Sequence, residues 1–115
     1  LMIELKLLTG HKDELIKSLA FKKYYPHGVS HFLGMDVHDS GRYMFGKEPR
    51  QLEPGICFTI EPGLYIPEND TSAPAELRGI GIRIEDNIVV TQDGYENLTK
   101  LAPKEVRDIE ALMAR

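Results

Sequence analysis

Proline and glycine restrict the fold of this chain most strongly between residues 24 and 46. That stretch is interrupted too often for a long helix, by Pro26, Gly28, Gly34 and Gly41. Helices are therefore expected on either side of it. Residues 2–9 and 13–20 predict two short helices. A final helix begins at Pro103 and carries an apolar stripe of Val106, Ile109, Leu112 and Met113.

Residues 56–61 predict a strand, because apolar and polar side chains alternate there until Pro62-Gly63 ends the pattern. Successive side chains of a strand point to opposite faces. Cys57, Thr59 and Glu61 are therefore expected on one face, opposite the apolar residues between them.

Residues 79–91 predict the next strand, and a short strand through Leu98 follows the turn after it. In this strand the expected faces are Ile82, Ile84 and Ile88 on one side, with Arg83 and Glu85 on the other. The order of helices, strands and a last helix predicts an α+β fold with an antiparallel sheet and flanking helices.

Composition excludes several classes of protein. The 115 residues are enough for one domain at most, and the net charge of −4 disfavours a nucleic-acid partner. No apolar run approaches the roughly 20 residues that a membrane-spanning helix needs. We expect no signal peptide, and the single cysteine, Cys57, fits a reducing compartment. We therefore expect a cytoplasmic protein without a membrane or nucleic-acid partner.

Three motifs carry side chains suited to chemistry. In the first, His27, His31 and His38 lie within twelve residues, and the intervening glycines place them on a loop and a strand rather than a helix. Histidines hydrogen-bonded to carbonyl groups in a turn explain this cluster equally well. In the second, Glu61 ends an apolar strand, where a solvated strand end is the ordinary explanation.

The third motif is Arg83 with Glu85, for which an exposed ion pair is the ordinary explanation. Together, one imidazole and two carboxylates form a donor set that suits Mn²⁺, Co²⁺ or Zn²⁺ with water. A bound metal acidifies that water, and a carboxylate then takes its proton. The residues alone therefore indicate a metal-dependent hydrolase.

Three sequence motifs, in this order, resemble those of the pita-bread metallopeptidases. They are His27-Gly-Val-Ser-His31-x6-His38-Asp, Thr59-Ile-Glu-Pro-Gly and Arg78-Gly-Ile-Gly-Ile-Arg-Ile-Glu-Asp. Among members of the family, the third motif is most similar to that of the aminopeptidase P group. The resemblance covers essentially the whole chain and implies the C-terminal half of the pita-bread fold.

The resemblance also implies a metal centre of two divalent ions, with Mn²⁺ first and Zn²⁺ or Co²⁺ as alternatives. By this likeness His31, Glu61 and Glu85 are metal ligands. Glu61 is also the general base for the attacking water, and Glu85 bridges the two ions.

For the substrate, the likeness implies a peptide with proline at its second position. His38 is expected to bind the scissile carbonyl, and His27 to line the site as a second histidine. Arg83 is expected to orient a substrate or ligand contact. The reaction implied is hydrolysis of the bond between the N-terminal residue and that proline.

Two aspartate ligands that the family takes from an upstream hairpin have no counterpart among these residues. We therefore expect residues 1–115 to be a single, incomplete portion of the catalytic domain. On its own, this portion is expected to bind metal weakly and not to hydrolyse peptides. Uncovered strand edges predict self-association, and a homo-oligomer is expected.

Two other functions fit the same residues. Prolidase, which cleaves only dipeptides, shares the ligand pattern. A non-catalytic pita-bread module that binds peptides, histones or RNA is the alternative from another class. Such modules usually lose ligands, whereas His31, Glu61 and Glu85 are all present.

Overall fold

The computed structural model describes residues 1–114, which form two compact units. The first unit consists of residues 1–28 and 62–83. The second consists of residues 29–61 and the chain from Ile84 onward. No helix among the described residues is long and apolar enough to cross a membrane.

The described residues contain two α-helices and seven short strands. In chain order they are α1 (Lys12–Lys17), β1 (Met44–Phe45), β2 (Glu48–Pro49), β3 (Cys57–Ile60), β4 (Gly63–Tyr65), β5 (Gly81–Arg83), β6 (Asp86–Thr91), β7 (Gly94–Asn97) and α2 (Val106–Met113). Short 3₁₀ helices cover Ala20–Lys23 and Ala75–Leu77. All paired strands are antiparallel, as the sequence predicts.

The helices in the structure are fewer and shorter than the sequence predicts. Residues 2–9 form hydrogen-bonded turns instead of a helix, and Lys6 takes a φ of 57°, which interrupts helical geometry. The helix expected at 13–20 ends at Lys17, and Leu19 also has a φ of 57°. The final helix begins at Val106 rather than at Pro103, and the side chains of its apolar stripe are exposed.

The first unit is built around a small apolar core. Its buried residues are Leu7, Tyr24, Ile66 and Ala73. Tyr24 is fully buried, and its hydroxyl donates to Asp70 Oδ2 at 2.8 Å. Lys23 Nζ lies 2.9 Å from the same carboxylate oxygen. These contacts tie the polar loop at 67–74 to the core, beside the antiparallel pair β4 and β5.

The second unit contains the sheet β3-β6-β7 and the hairpin of β1 and β2. The strand predicted at 56–61 is confirmed as β3, with Thr59 buried on the face that Glu61 shares. The short strand predicted through Leu98 is confirmed as β7, which ends at Asn97.

The single strand predicted at 79–91 is wrong, because two strands occupy these residues. β5 pairs with β4, whereas β6 pairs with β3 and β7. Glu85 lies between β5 and β6, so no continuous strand gives it a face in common with Arg83. The expected apolar face is also divided, since Ile82 is 57% exposed and Ile88 only 5%. An alternating pattern does not show where a strand changes its pairing partner.

Candidate metal and catalytic site

Residues 29–33 run antiparallel to β3 and bring His31 beside Glu61. The Glu61 amide donates to the Val29 carbonyl at 2.8 Å, and the Thr59 amide donates to the His31 carbonyl at 2.9 Å. One residue further along each segment, Phe32 and Phe58 form an antiparallel bridge. The histidine segment is extended and not helical, as its glycines predict.

His31 and Glu61 form the centre of the candidate site. His31 Nε2 lies 3.1 Å from Glu61 Oε1, and the two side chains are 18% and 8% exposed. His31 Nδ1 lies 2.9 Å from the Phe32 carbonyl oxygen, which only accepts, so Nδ1 carries the proton. A neutral ring then directs its Nε2 lone pair at a carboxylate that also only accepts. A cation between them, either a proton or a metal ion, satisfies both.

Thr59 is a member of this site that sequence reasoning did not include. Its side chain is buried, its Oγ1 donates to Glu61 Oε1 at 3.0 Å, and the same oxygen accepts the His31 amide at 3.1 Å. The available signal was its position two residues before Glu61 on one strand face. A threonine in a strand is so common that this signal carried no weight.

His38 lies next to His31, although seven residues separate them in sequence. The ring centroids are 4.5 Å apart at an interplanar angle of 62°, and His38 is exposed. The loop between them folds back because the Asp39 amide donates to the Phe32 carbonyl at 3.1 Å. A solvent-facing imidazole beside the His31–Glu61 pair can reach a bound ligand.

In the first unit, His27 and Arg83 meet through Tyr65. Arg83 Nε donates to the Tyr65 hydroxyl at 2.7 Å, and that hydroxyl lies 2.9 Å from His27 Nε2. His27 Nδ1 donates to the Gly28 carbonyl at 2.7 Å, which leaves Nε2 of the neutral ring as the acceptor for Tyr65. Arg83, Tyr65 and His27 are therefore linked by two consecutive hydrogen bonds, with the Tyr65 hydroxyl accepting from Arg83 and donating to His27.

Tyr65 is the second residue that sequence reasoning missed, and it depends on Gly63. A Cβ atom at position 63 would lie 2.6 Å from the Tyr65 hydroxyl oxygen. The glycine therefore leaves room for the Tyr65 side chain to lie back along its own strand. Sequence reasoning assigned this glycine only to the end of β3.

The donor atoms of His31 and Glu61 are of the kinds that bind a divalent metal ion. These two side chains are in contact, but they are only part of a complete set of ligands. Imidazole nitrogen and carboxylate oxygen suit borderline and hard divalent ions. No group of three or more His, Cys, Asp or Glu side chains lies close enough to hold an ion within residues 1–114. Glu85 is exposed.

Asp86, the neighbour of Glu85, is held in a dense set of polar contacts at the start of β6. The Thr99 hydroxyl donates to Asp86 Oδ1 at 2.7 Å, and Lys104 Nζ lies 2.9 Å from the same oxygen. The hydrogen bond from Thr99, followed by those from Lys104 and Asn97, lowers the pKa of Asp86 to about 2. These contacts fix the backbone on one side of Glu85.

We expect Asp86 to make the stability of this chain sensitive to acid. Its folded-state pKa lies below the ordinary value of about 3.9. Its contribution is therefore complete above about pH 4 and is lost as the pH falls toward 2. Unfolding by urea, followed between pH 2 and 7, should show a smaller loss of stability below pH 4 for Asp86→Asn than for the unchanged chain. Asp93→Asn, in the exposed turn before β7, is the control and should leave the profile unchanged. An identical acid profile for Asp86→Asn would contradict the prediction.

An imidazole and a carboxylate that face one cation position form part of the donor set of a divalent-metal site. The model of metallopeptidase family M24 matches residues 5–92. This chain belongs to that family, as the three motifs predict.

The similar proteins agree with this family. The Xaa-Pro aminopeptidase of Escherichia coli strain K12 is 51% identical over 112 residues, which are 97% of this chain and 25% of that protein. The structure of Pseudomonas aeruginosa aminopeptidase PepP superposes with a TM-score of 0.93 at 53% identity, covering 98% of this chain and 26% of that one. A Zn-substituted aminopeptidase P from E. coli, in complex with product, gives a TM-score of 0.88 at 50% identity, covering 98% and 25%. The predicted pita-bread fold is confirmed, and this chain spans about a quarter of the length of the curated relatives it matches.

Proposed function

We propose that this chain is part of an aminopeptidase that hydrolyses the bond between an N-terminal residue and a following proline. The observation that carries the proposal is the 3.1 Å contact between His31 Nε2 and Glu61 Oε1, in which two acceptors face one cation position. The choice of substrate is supported by relatives that are named Xaa-Pro aminopeptidases. Among residues 1–114, no contact favours prolidase or a non-catalytic binding module instead.

In this proposal His31, Glu61 and Glu85 hold the metal. Two divalent ions are proposed, with Mn²⁺ as the native metal and Zn²⁺ or Co²⁺ as substitutes. When bound, they supply an acidified water and polarise the scissile carbonyl. Glu61 accepts a proton as general base, a role that suits a carboxylate held by hydrogen bonds in a fixed orientation.

The remaining site residues act on the substrate. His38 is proposed to donate a hydrogen bond to the scissile carbonyl oxygen, where negative charge develops. Its exposed ring beside His31 supports this role. His27 is proposed to line the site, oriented by the Tyr65 hydroxyl. Arg83 is proposed to orient a substrate contact through the same hydroxyl.

We also propose that residues 1–115 are one portion of a larger catalytic domain that works as a homo-oligomer in the cytoplasm. The partial donor set supports an incomplete site, and we expect this chain alone to bind metal weakly without peptidase activity. The exposed apolar stripe of α2 supports association with further protein surface. The single free cysteine, Cys57, fits a reducing compartment. The peptide substrate is the proposed partner, with neither nucleic acid nor membrane.

The test is a chimera in which this chain replaces the matching 112 residues of the E. coli Xaa-Pro aminopeptidase. We expect the purified chimera with Mn²⁺ to hydrolyse Ala-Pro-Ala and not Ala-Ala-Ala. It should also cleave the tripeptide rather than only the dipeptide Ala-Pro. His11→Ala, an exposed histidine outside the motifs, should retain full activity. A folded chimera that binds Mn²⁺ but cleaves none of these peptides would refute the proposed function.

A further inference from the structure

Thr59 is buried, and its hydroxyl both donates and accepts a hydrogen bond. Only 1% of the residue is exposed. Its proton is donated to Glu61 Oε1 at 3.0 Å, while its oxygen accepts the His31 amide at 3.1 Å. One hydroxyl group is therefore hydrogen-bonded both to the backbone amide of His31 and to the side chain of Glu61, the two residues at the centre of the candidate metal site.

A hydroxyl at this position needs a physical reason. Valine has nearly the same shape, favours a strand equally, and avoids the cost of burying a polar group. That cost is offset here because the donor and the acceptor of the hydroxyl both find partners. The contact to the His31 amide is structural, whereas the contact to Glu61 restrains a side chain that the proposed function uses.

The restraint on Glu61 does not depend on the state of the His31 ring. Thr59 Oγ1 donates a hydrogen bond to Glu61 Oε1, while His31 Nε2 lies 3.1 Å from the same oxygen. The bond from Thr59 does not use the Nε2 lone pair. It therefore persists when that lone pair faces a proton and when it faces a metal cation.

We propose that Thr59 is a positioning residue, whose hydroxyl holds the Glu61 carboxylate in register with the backbone of His31. This inference rests on the proposed function, in which these two residues bind metal. Partners of this kind, beyond the ligands themselves, set the orientation of a ligand. Their loss typically lowers metal affinity or activity by about 10–100-fold.

The first experiment measures the hydrogen bonds themselves by NMR of the isolated chain at pH 7. Thr59→Val removes the hydroxyl at nearly constant shape, Thr59→Ser keeps it, and Thr91→Val at the exposed end of β6 is the matched control. We expect Thr59→Val to shift the His31 amide proton upfield and to move the Glu61 carboxyl ¹³C resonance. Thr59→Ser and Thr91→Val should leave both resonances close to their original positions.

The second experiment measures the consequence in the chimera with the E. coli enzyme. We expect Thr59→Val to weaken Mn²⁺ binding and to lower kcat by about 10–100-fold with little change in KM. Thr59→Ser should restore both quantities to within about threefold. A Thr59→Val chimera with unchanged Mn²⁺ affinity and kcat would overturn the inference. Equal losses in Thr59→Ser and Thr59→Val would also overturn it, because the hydroxyl would then not be the cause.

The two experiments separate this inference from the proposed function. A chimera that binds Mn²⁺ without cleaving any peptide refutes the function. The NMR result still decides whether Thr59 orients Glu61. If Thr59→Val does not fold, NMR of the unchanged chain can still show whether the Thr59 hydroxyl makes these hydrogen bonds. A slowly exchanging Thr59 hydroxyl proton, with a nuclear Overhauser effect to the His31 amide, is expected. A rapidly exchanging proton without this effect would refute the hydrogen bonds on which the inference rests.

Discussion

Glu61→Gln is expected to lower kcat of the chimera by about 10³-fold or more, with a much smaller change in KM. An amide has nearly the shape of a carboxylate and can keep the bond from Thr59 through its oxygen. It cannot take a proton from water at neutral pH, and the loss of a general base alone costs about 10²–10⁴-fold. The substitution also replaces a charged oxygen that faces His31 with a neutral amide.

Steady-state hydrolysis of Ala-Pro-Ala checks this prediction, with Mn²⁺ affinity measured on the same preparations. Glu96→Gln, at an exposed position in β7, is the matched control and should keep kcat within about twofold. A Glu61→Gln chimera within tenfold of the unchanged one would show that Glu61 is not the general base. Lost activity together with lost Mn²⁺ binding would assign Glu61 mainly to metal binding.

Tyr24→Ala is expected to lower the free energy of unfolding of the first unit by about 3–5 kcal/mol, the usual cost of removing a buried aromatic ring. The effect should be large because Tyr24 is fully buried in a core that contains few other buried side chains. Its backbone carbonyl also accepts the Tyr65 amide at 2.9 Å, so local unfolding would release the strand that carries Tyr65.

Hydrogen exchange of the backbone amides in β4 and β5 measures this stability directly. Tyr24→Phe, which keeps the ring and removes only the bond to Asp70, should lose less protection than Tyr24→Ala. Tyr95→Ala is the control for an exposed tyrosine, at 73% exposure, and should change stability by no more than about 0.5 kcal/mol. Equal protection in Tyr24→Ala and the unchanged chain would contradict the assignment of Tyr24 to the core.

The sequence predicts the elements of this fold best where a local pattern has one structural cause. β3 is an example, since alternation and the following Pro62-Gly63 both depend on the strand itself. The break at residues 84–85 was missed because strand pairing is not local. Residues 2–9 were missed because apolar density favours burial as much as helix, and Leu7 is indeed buried in the core.

Within the candidate site, sequence reasoning found the titratable residues and missed the hydroxyl groups between them. His31 and Glu61 stand out because imidazole and carboxylate are few in an apolar strand. Thr59 and Tyr65 are ordinary strand residues, and only the distances to their partners reveal what they contact. The roles of all the site residues (His27, His31, His38, Glu61, Arg83 and Glu85) stay predictions, since they concern a bound substrate and bound metals.

The close approach between Gly63 and Tyr65 has a consequence for how this sequence can change over evolutionary time. Any residue other than glycine at position 63 would place its Cβ atom in space that the Tyr65 side chain now fills. A substitution at position 63 would therefore push the Tyr65 side chain away from His27 and Arg83, the two residues that its hydroxyl contacts. We therefore expect positions 63 and 65 to change together, so that natural variants without the glycine also lack the tyrosine.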